Sequence, residues 1–127
     1  KLQMTNGNSQ TYTLSGYDGF TITGITLSMK SNKTSGAGSL SVKSGSVVIA
    51  SIADSAFNAD SWYGNWSQDF VDITPAVTEQ AVGDGENVVV QINASASSLY
   101  CQSITITYKK SEPSLENPDK GEEETPW

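Results

Sequence analysis

The sequence predicts an all-β fold, an antiparallel two-sheet sandwich of about eight or nine strands. Three observations predict it. Apolar residues alternate with Ser, Thr or Lys at a period of two in segment after segment. These segments recur at roughly ten-residue spacing, separated by Gly- and Ser-rich turns. No stretch carries a helical period or the strand–helix–strand spacing of a parallel sheet. The 19 Ser and 12 Thr supply much of the polar half of the alternation.

The first candidate strand is Leu2-Gln3-Met4, and Tyr12 with Leu14 marks a second. Phe20 and Ile22 then alternate with threonines, Gly24 intervenes, and Ile25, Leu27 and Met29 resume on the opposite parity. A one-residue phase slip at a glycine is the mark of a β-bulge in one long strand, expected at Thr23-Gly24. If that glycine holds a positive φ, Gly24→Ala costs about 1 kcal/mol or more. A turn at 35–38 leads to Leu40 and Val42, and a turn at 44–46 leads to the strand 47–52. Phe70-Val71-Asp72-Ile73-Thr74 is a shorter strand stopped by Pro75. Val88, Val90 and Ile92 alternate, Leu99 with Cys101 fits a short strand, and Ile104, Ile106 and Tyr108 make the last. The expected core is Leu14, Ile22, Ile25, Leu27, Leu40, Val42, Ile73, Val90, Ile92, Leu99, Ile104 and Ile106.

Composition excludes several functions. The chain has no His and no Arg, and its single Cys cannot form an internal disulfide. Histidine-based triads, His-ligated zinc and bidentate guanidinium clamps on phosphate or guanine are therefore ruled out. Seven Lys against fourteen acids, with the body's lysines dispersed, argue against nucleic acid. No apolar run approaches the ~18 residues that span a bilayer, so the chain is not expected to be membrane-embedded. The charge of −7 is uneven: 1–110 carries eight acids and six lysines, whereas 111–127 carries six acids, one lysine and three of the four prolines. The expected organisation is a β-sandwich domain over 1–110 and an acidic Pro/Glu-rich tail or linker over 111–127.

The segment 53–68 is the one long connection without alternation, and it holds the chain's densest aromatic cluster, Trp62-Tyr63-Gly64-Asn65-Trp66. Rings placed there can stack on the apolar face of a sugar, with Asp60, Asn65 and Gln68 as hydrogen-bonding partners. They can equally cover an end of the sandwich and hold the loop down. Tyr17-Asp18-Gly19-Phe20 is a second aromatic spot, better read as turn chemistry. Asp60, Asp69 and Asp72 are oxygen donors near the loop, but no calcium-loop motif is present. A structural calcium is therefore not favoured, and no cofactor is expected. Cys101, with no histidine to activate it, reads as a small buried hydrophobe. No pair of carboxylates is fixed across a cleft by its spacing, so no catalytic residue is assigned and the chain is not expected to be an enzyme.

The succession Ile25-Thr-Leu-Ser-Met, Gly38-Ser-Leu-Ser-Val, the Trp/Gly loop, Asn87-Val-Val-Val-Gln-Ile and the closing Ser98-Leu-Tyr-Cys-Gln-Ser-Ile-Thr-Ile-Thr-Tyr resembles a family of secreted β-sandwich accessory modules of Bacteroidetes. Those modules have folds similar to jelly-roll, galactose-binding-like domains and are appended to surface proteins and extracellular enzymes. The resemblance covers roughly 1–110. It implies a jelly-roll-like sandwich that is secreted or on the bacterial cell surface, is non-catalytic, and sits beside neighbouring domains of the same polypeptide. Two functions follow as expectations: a module that binds a glycan, or a spacer or protein-interaction domain with no small-molecule ligand. Asp54-Ser55-Ala56 also resembles the O-glycosylation acceptor of exported proteins in that group, and Asn32, Asn65 and Asn93 open N-glycosylation sequons.

Overall fold

The computed structural model describes residues 2–4, 8–57, 62 and 69–111. The expected tail, 111–127, lies outside them apart from Ser111, whose N–H donates to the Gly19 carbonyl. The described chain is nearly all strand and forms two antiparallel sheets, as the alternation requires.

Nine strands are described. They are β1 (Leu2–Met4), β2 (Ser9–Leu14), β3 (Phe20–Ser31), β4 (Ala37–Ser44), β5 (Val47–Ala56), β6 (Val71–Ile73), β7 (Gln80–Ala81), β8 (Val88–Ala96) and β9 (Leu99–Lys110). One sheet runs β1-β9-β3-β6, with β7 continuing the edge beside β3, and the other runs β2-β8-β4-β5. With β7 set aside, the pairings nest: β1 with β9, β2 with β8, β3 with β6, β4 with β5. That is one long antiparallel hairpin rolled over on itself. It is the strand order of a jelly roll.

The bulge lies where the parity slip placed it. Ile22 pairs with Tyr108 and Gly24 with Thr107, so Thr23 is the extra residue. Ile22 and Ile25 both reach the core because of it. Gly24 is not among the residues at positive φ, so backbone strain does not dictate a glycine there. Space does: a Cβ on Gly24 would sit 3.0 Å from the Thr107 hydroxyl.

Two strand assignments need correcting. The segments expected as separate strands at 99–101 and 103–108 are one strand, β9. Ser28 pairs with Ser103 and Met29 with Cys101, which makes Gln102 a second bulge residue that swaps the inward parity from odd to even. The strand expected to end at Ile52 continues to Ala56, because Ser55 and Ala56 pair with Gly38 and Ala37 after a register shift. The connection without regular pairing therefore starts at Phe57, not Ala53. Unforeseen in the sequence, β7 follows a detour at 74–79 that buries Pro75 and donates the Thr78 N–H to the Ile49 carbonyl of β5. That detour ties the two sheets together along one side.

Nine of the twelve expected core residues are buried. Leu14, Ile104 and Ile106 are only partly buried and pack against the core from its margin. Met29, Ile49, Ile52, Phe57, Trp62 and Val88 complete the interior, with Cys101 among them. Its thiol donates to the Ser103 carbonyl at 3.5 Å, which fits a small buried hydrophobe.

Two glycines separate space from strain in a measurable way. A Cβ on Gly38 would overlap the Asn93 carbonyl of β8 and lie 2.8 Å from Leu99 Cδ1. Backbone must move to admit it, so Gly38→Ala should cost about 2–4 kcal/mol in chemical denaturation. Gly24→Ala meets only an exposed hydroxyl and should cost under about 1 kcal/mol, with the cost removed in the Thr107→Ala background.

Candidate functional site

At one end of the sandwich, β5 delivers the chain into the aromatic loop. The Phe57 N–H donates to the Gly36 carbonyl at 2.7 Å, and its ring is buried. Trp62 follows it inward: its residue is 0% exposed, its ring centroid is 5.0 Å from that of Phe57, and its Nε1–H donates to the Ser55 carbonyl at 3.3 Å. A buried indole needs a partner for its single N–H, and the final turn of β5 supplies one. No face of this ring is left for a sugar. Trp62 plugs the end of the core, which corrects its expected part in a stacking platform. Asp60, Tyr63, Asn65 and Trp66, together with Gln68, lie outside the described residues.

The second aromatic spot is the turn its sequence suggested. The Phe20 N–H donates to the Tyr17 carbonyl at 3.0 Å across Asp18-Gly19, with Gly19 at φ 86°. The Asp18 carboxylate accepts the Gly85 N–H at 3.3 Å. Tyr17 and Phe20 both meet Tyr108 edge to face, with centroids 5.5 and 5.2 Å away. This cluster closes the other end of the sandwich.

Among the described residues, no three acidic or Cys side chains are grouped to hold a metal. Asp69 and Asp72 are exposed beside β6, and Asp60 is not described. Glu79 pairs with Lys109 at 3.1 Å.

The chemistry that does assemble is on the outer face of the five-stranded sheet. In β3 the residues Ile25, Leu27 and Met29 point inward, which turns Thr26, Ser28 and Lys30 to the other face, where Ser28 is itself buried and bonded by Gln102. Pairing then lines up rows across the strands. Lys30 pairs with Tyr100 of β9, and Phe70 stands beside it just before β6. The Lys30 ammonium lies 5.3 Å from the Phe70 centroid and 5.4 Å from that of Tyr100, so one cation bridges two rings. The next row holds Ser28, Ser103 and Asp72, and the Gln102 amide donates to Ser28 Oγ at 2.9 Å. Below it, Thr26 pairs with Thr105, and its hydroxyl lies 3.1 Å from that of Thr74. The result is a hydroxyl-, amide- and carboxylate-lined surface ending in two partly buried aromatic rings.

Sequence reasoning missed Phe70, Lys30 and Tyr100 as a group. A signal existed in their parity: each is the polar-face neighbour of inward residues, Tyr100 between Leu99 and Cys101, Phe70 before Val71. Aromatics at outward positions are the departure from pattern to look for. No family model, no curated protein and no solved structure matches this chain.

Burial pushes the Cys101 thiol above its usual range, and burial followed by the neighbouring Cys101 charge does the same for the Tyr12 phenol. The folded protein thus keeps protons that the unfolded chain has already released in alkaline solution. Stability is fully present below the unfolded thiol value of about 8.5 and is lost as pH rises from there towards the folded values. The melting temperature should be flat from pH 6 to about 8 and fall above about 9, less steeply in Cys101→Ala. In a separate measurement, Trp62→Ala should cost about 3–5 kcal/mol in chemical denaturation.

Proposed function

We propose that this chain is a non-catalytic accessory module of a larger secreted or surface protein that binds carbohydrate across the outer face of its five-stranded sheet. The observation that carries this reading is the row Phe70, Lys30 and Tyr100, two aromatic rings set into a surface otherwise made of Ser, Thr, Asp and Gln. A pyranose offers an apolar face of C–H groups and a rim of hydroxyls. Flat rings take the first, and fixed hydroxyl, amide and carboxylate groups take the second. The hydrogen bond between Gln102 and Ser28 holds one such amide in place without a ligand, which lowers the ordering cost of binding. The resemblance of 1–110 to exported accessory modules supports the extracellular setting.

Few rings and many hydroxyls to desolvate give weak binding per site, about 0.1–1 mM. One observation favours the alternative, a spacer or protein-interaction domain: the described tryptophan of the aromatic loop is consumed by the core.

The two readings separate on a glycan array followed by titration calorimetry. Tyr100→Ala and Phe70→Ala should each weaken binding about tenfold or more while shifting the melting temperature by only a few degrees. Gln91→Ala, on the outer face of the other sheet, should leave binding unchanged. If no glycan binds the unaltered protein at millimolar concentration, the spacer reading stands.

A further inference from the structure

We propose that the outer face of the five-stranded sheet takes an unbranched, uncharged glycan of at least three sugars laid along β3, an inference that rests on the carbohydrate reading and narrows it. The relief of the face sets the path. Along β3 the outer positions are low: Ser28 is 8% exposed, Thr26 is partly buried, and beyond them Gly24 presents no side chain. The strands on either side stand higher. Gln102, Ser103, Thr105 and Thr107 of β9 are exposed, and so are Asp72 of β6 and Thr74 just after it. A shallow trough therefore follows β3 away from the row of Phe70, Lys30 and Tyr100.

Strand geometry gives this trough its dimensions. Successive outer rows lie two residues apart, so the ring row, the Ser28 row and the Thr26 row together span about 13 Å, room for three pyranose units end to end. β9 and β6 flank β3 on its two sides, which makes the channel about 10 Å across, the breadth of a single sugar chain. A branch on the middle sugar would run into Asp72 on one side or Ser103 on the other. Both rows beyond the rings hold polar groups already tied together, Gln102 to Ser28 and Thr26 to Thr74. Donors and acceptors are thus fixed in place for successive sugars at little ordering cost.

Charge decides between neutral and acidic chains. Among the described residues of these three rows Lys30 is the one cation, and its ammonium lies between the two rings at the end of the trough. The middle row carries the exposed Asp72, and Asp69 directly precedes Phe70. A carboxylate or sulfate on the middle sugar would face Asp72 with no base beside it. Such a like-charge meeting costs affinity.

Titration calorimetry tests the inference with β-1,4-linked gluco- and manno-oligosaccharides of one to six units, and with graded lengths of any other linear glycan that an array reports. For the series that binds, affinity should rise about tenfold or more from monosaccharide to trisaccharide, and less than about fivefold from there to the hexasaccharide. Thr26→Tyr fills the third row and should bring trisaccharide and hexasaccharide down to the affinity of the disaccharide. The uronate hexamer of the same sugar should bind about tenfold more weakly at low salt, and Asp72→Asn should recover about threefold or more of that loss. Affinity that ignores chain length overturns the inference while the sheet-face reading stands, and so do acidic or branched glycans that bind as tightly as neutral linear ones. If no glycan binds at millimolar concentration, both fall together.

Discussion

The pairing of β3 with β9 is the constraint on which the remainder of the structure depends. These are the two longest strands, they lie side by side at the centre of one sheet, and they hold eleven partnered positions. Both change inward parity along their length, and each does so at its own bulge, Thr23 in one and Gln102 in the other. Had only one strand slipped, half of its apolar residues would face water. The bulges let Ile22, Ile25, Leu27 and Met29 on one strand, and Leu99 and Cys101 on the other, serve a single interior. The polar outer face is the complement of that arrangement. Lys30 and Tyr100 stand together outside because Met29 and Cys101 stand together inside.

This dependence explains what could be read without coordinates. Alternation is local, so the strands around Leu40, Val90 and Ile92 and the bulge at Gly24 were legible in the order of residues. The same parity logic applied to Leu99, Cys101 and Ile104 would have joined the last two segments. The incomplete burial of Ile104 and Ile106 was not legible, because it depends on whether a neighbouring strand runs the full length of β9. β7 was invisible for a related reason: two residues carry no period, and they pair only because the detour through Pro75 and Thr78 is anchored on β5.

The candidate site divides along the same line. A cluster of aromatics in one loop attracts attention in a sequence, but aromatic area serves a core and a ligand equally well. Trp62 went to the core since the end of the sandwich needed a large plug and Ser55 offered a carbonyl to its N–H. Phe70 and Tyr100 are thirty residues apart and become neighbours only through the strands on either side of Lys30. Their juxtaposition belongs to the fold.

The nested pairing also fixes how the domain answers a mechanical load. β1 runs antiparallel to β9, with Leu2 beside Cys101 and Met4 beside Leu99. Lys110 pairs with Phe20 of β3 and lies nine residues along β9 from Cys101, so Leu2 and Lys110 stand towards opposite ends of the sandwich. Tension applied between them runs along the strands, so the hydrogen bonds joining β1 to β9 are loaded together in shear rather than one after another. β1 has three residues to resist with. Three paired positions carry that load between β1 and β9 against eleven between β3 and β9, so the outermost strand of this roll slips first and the domain lengthens before its interior opens.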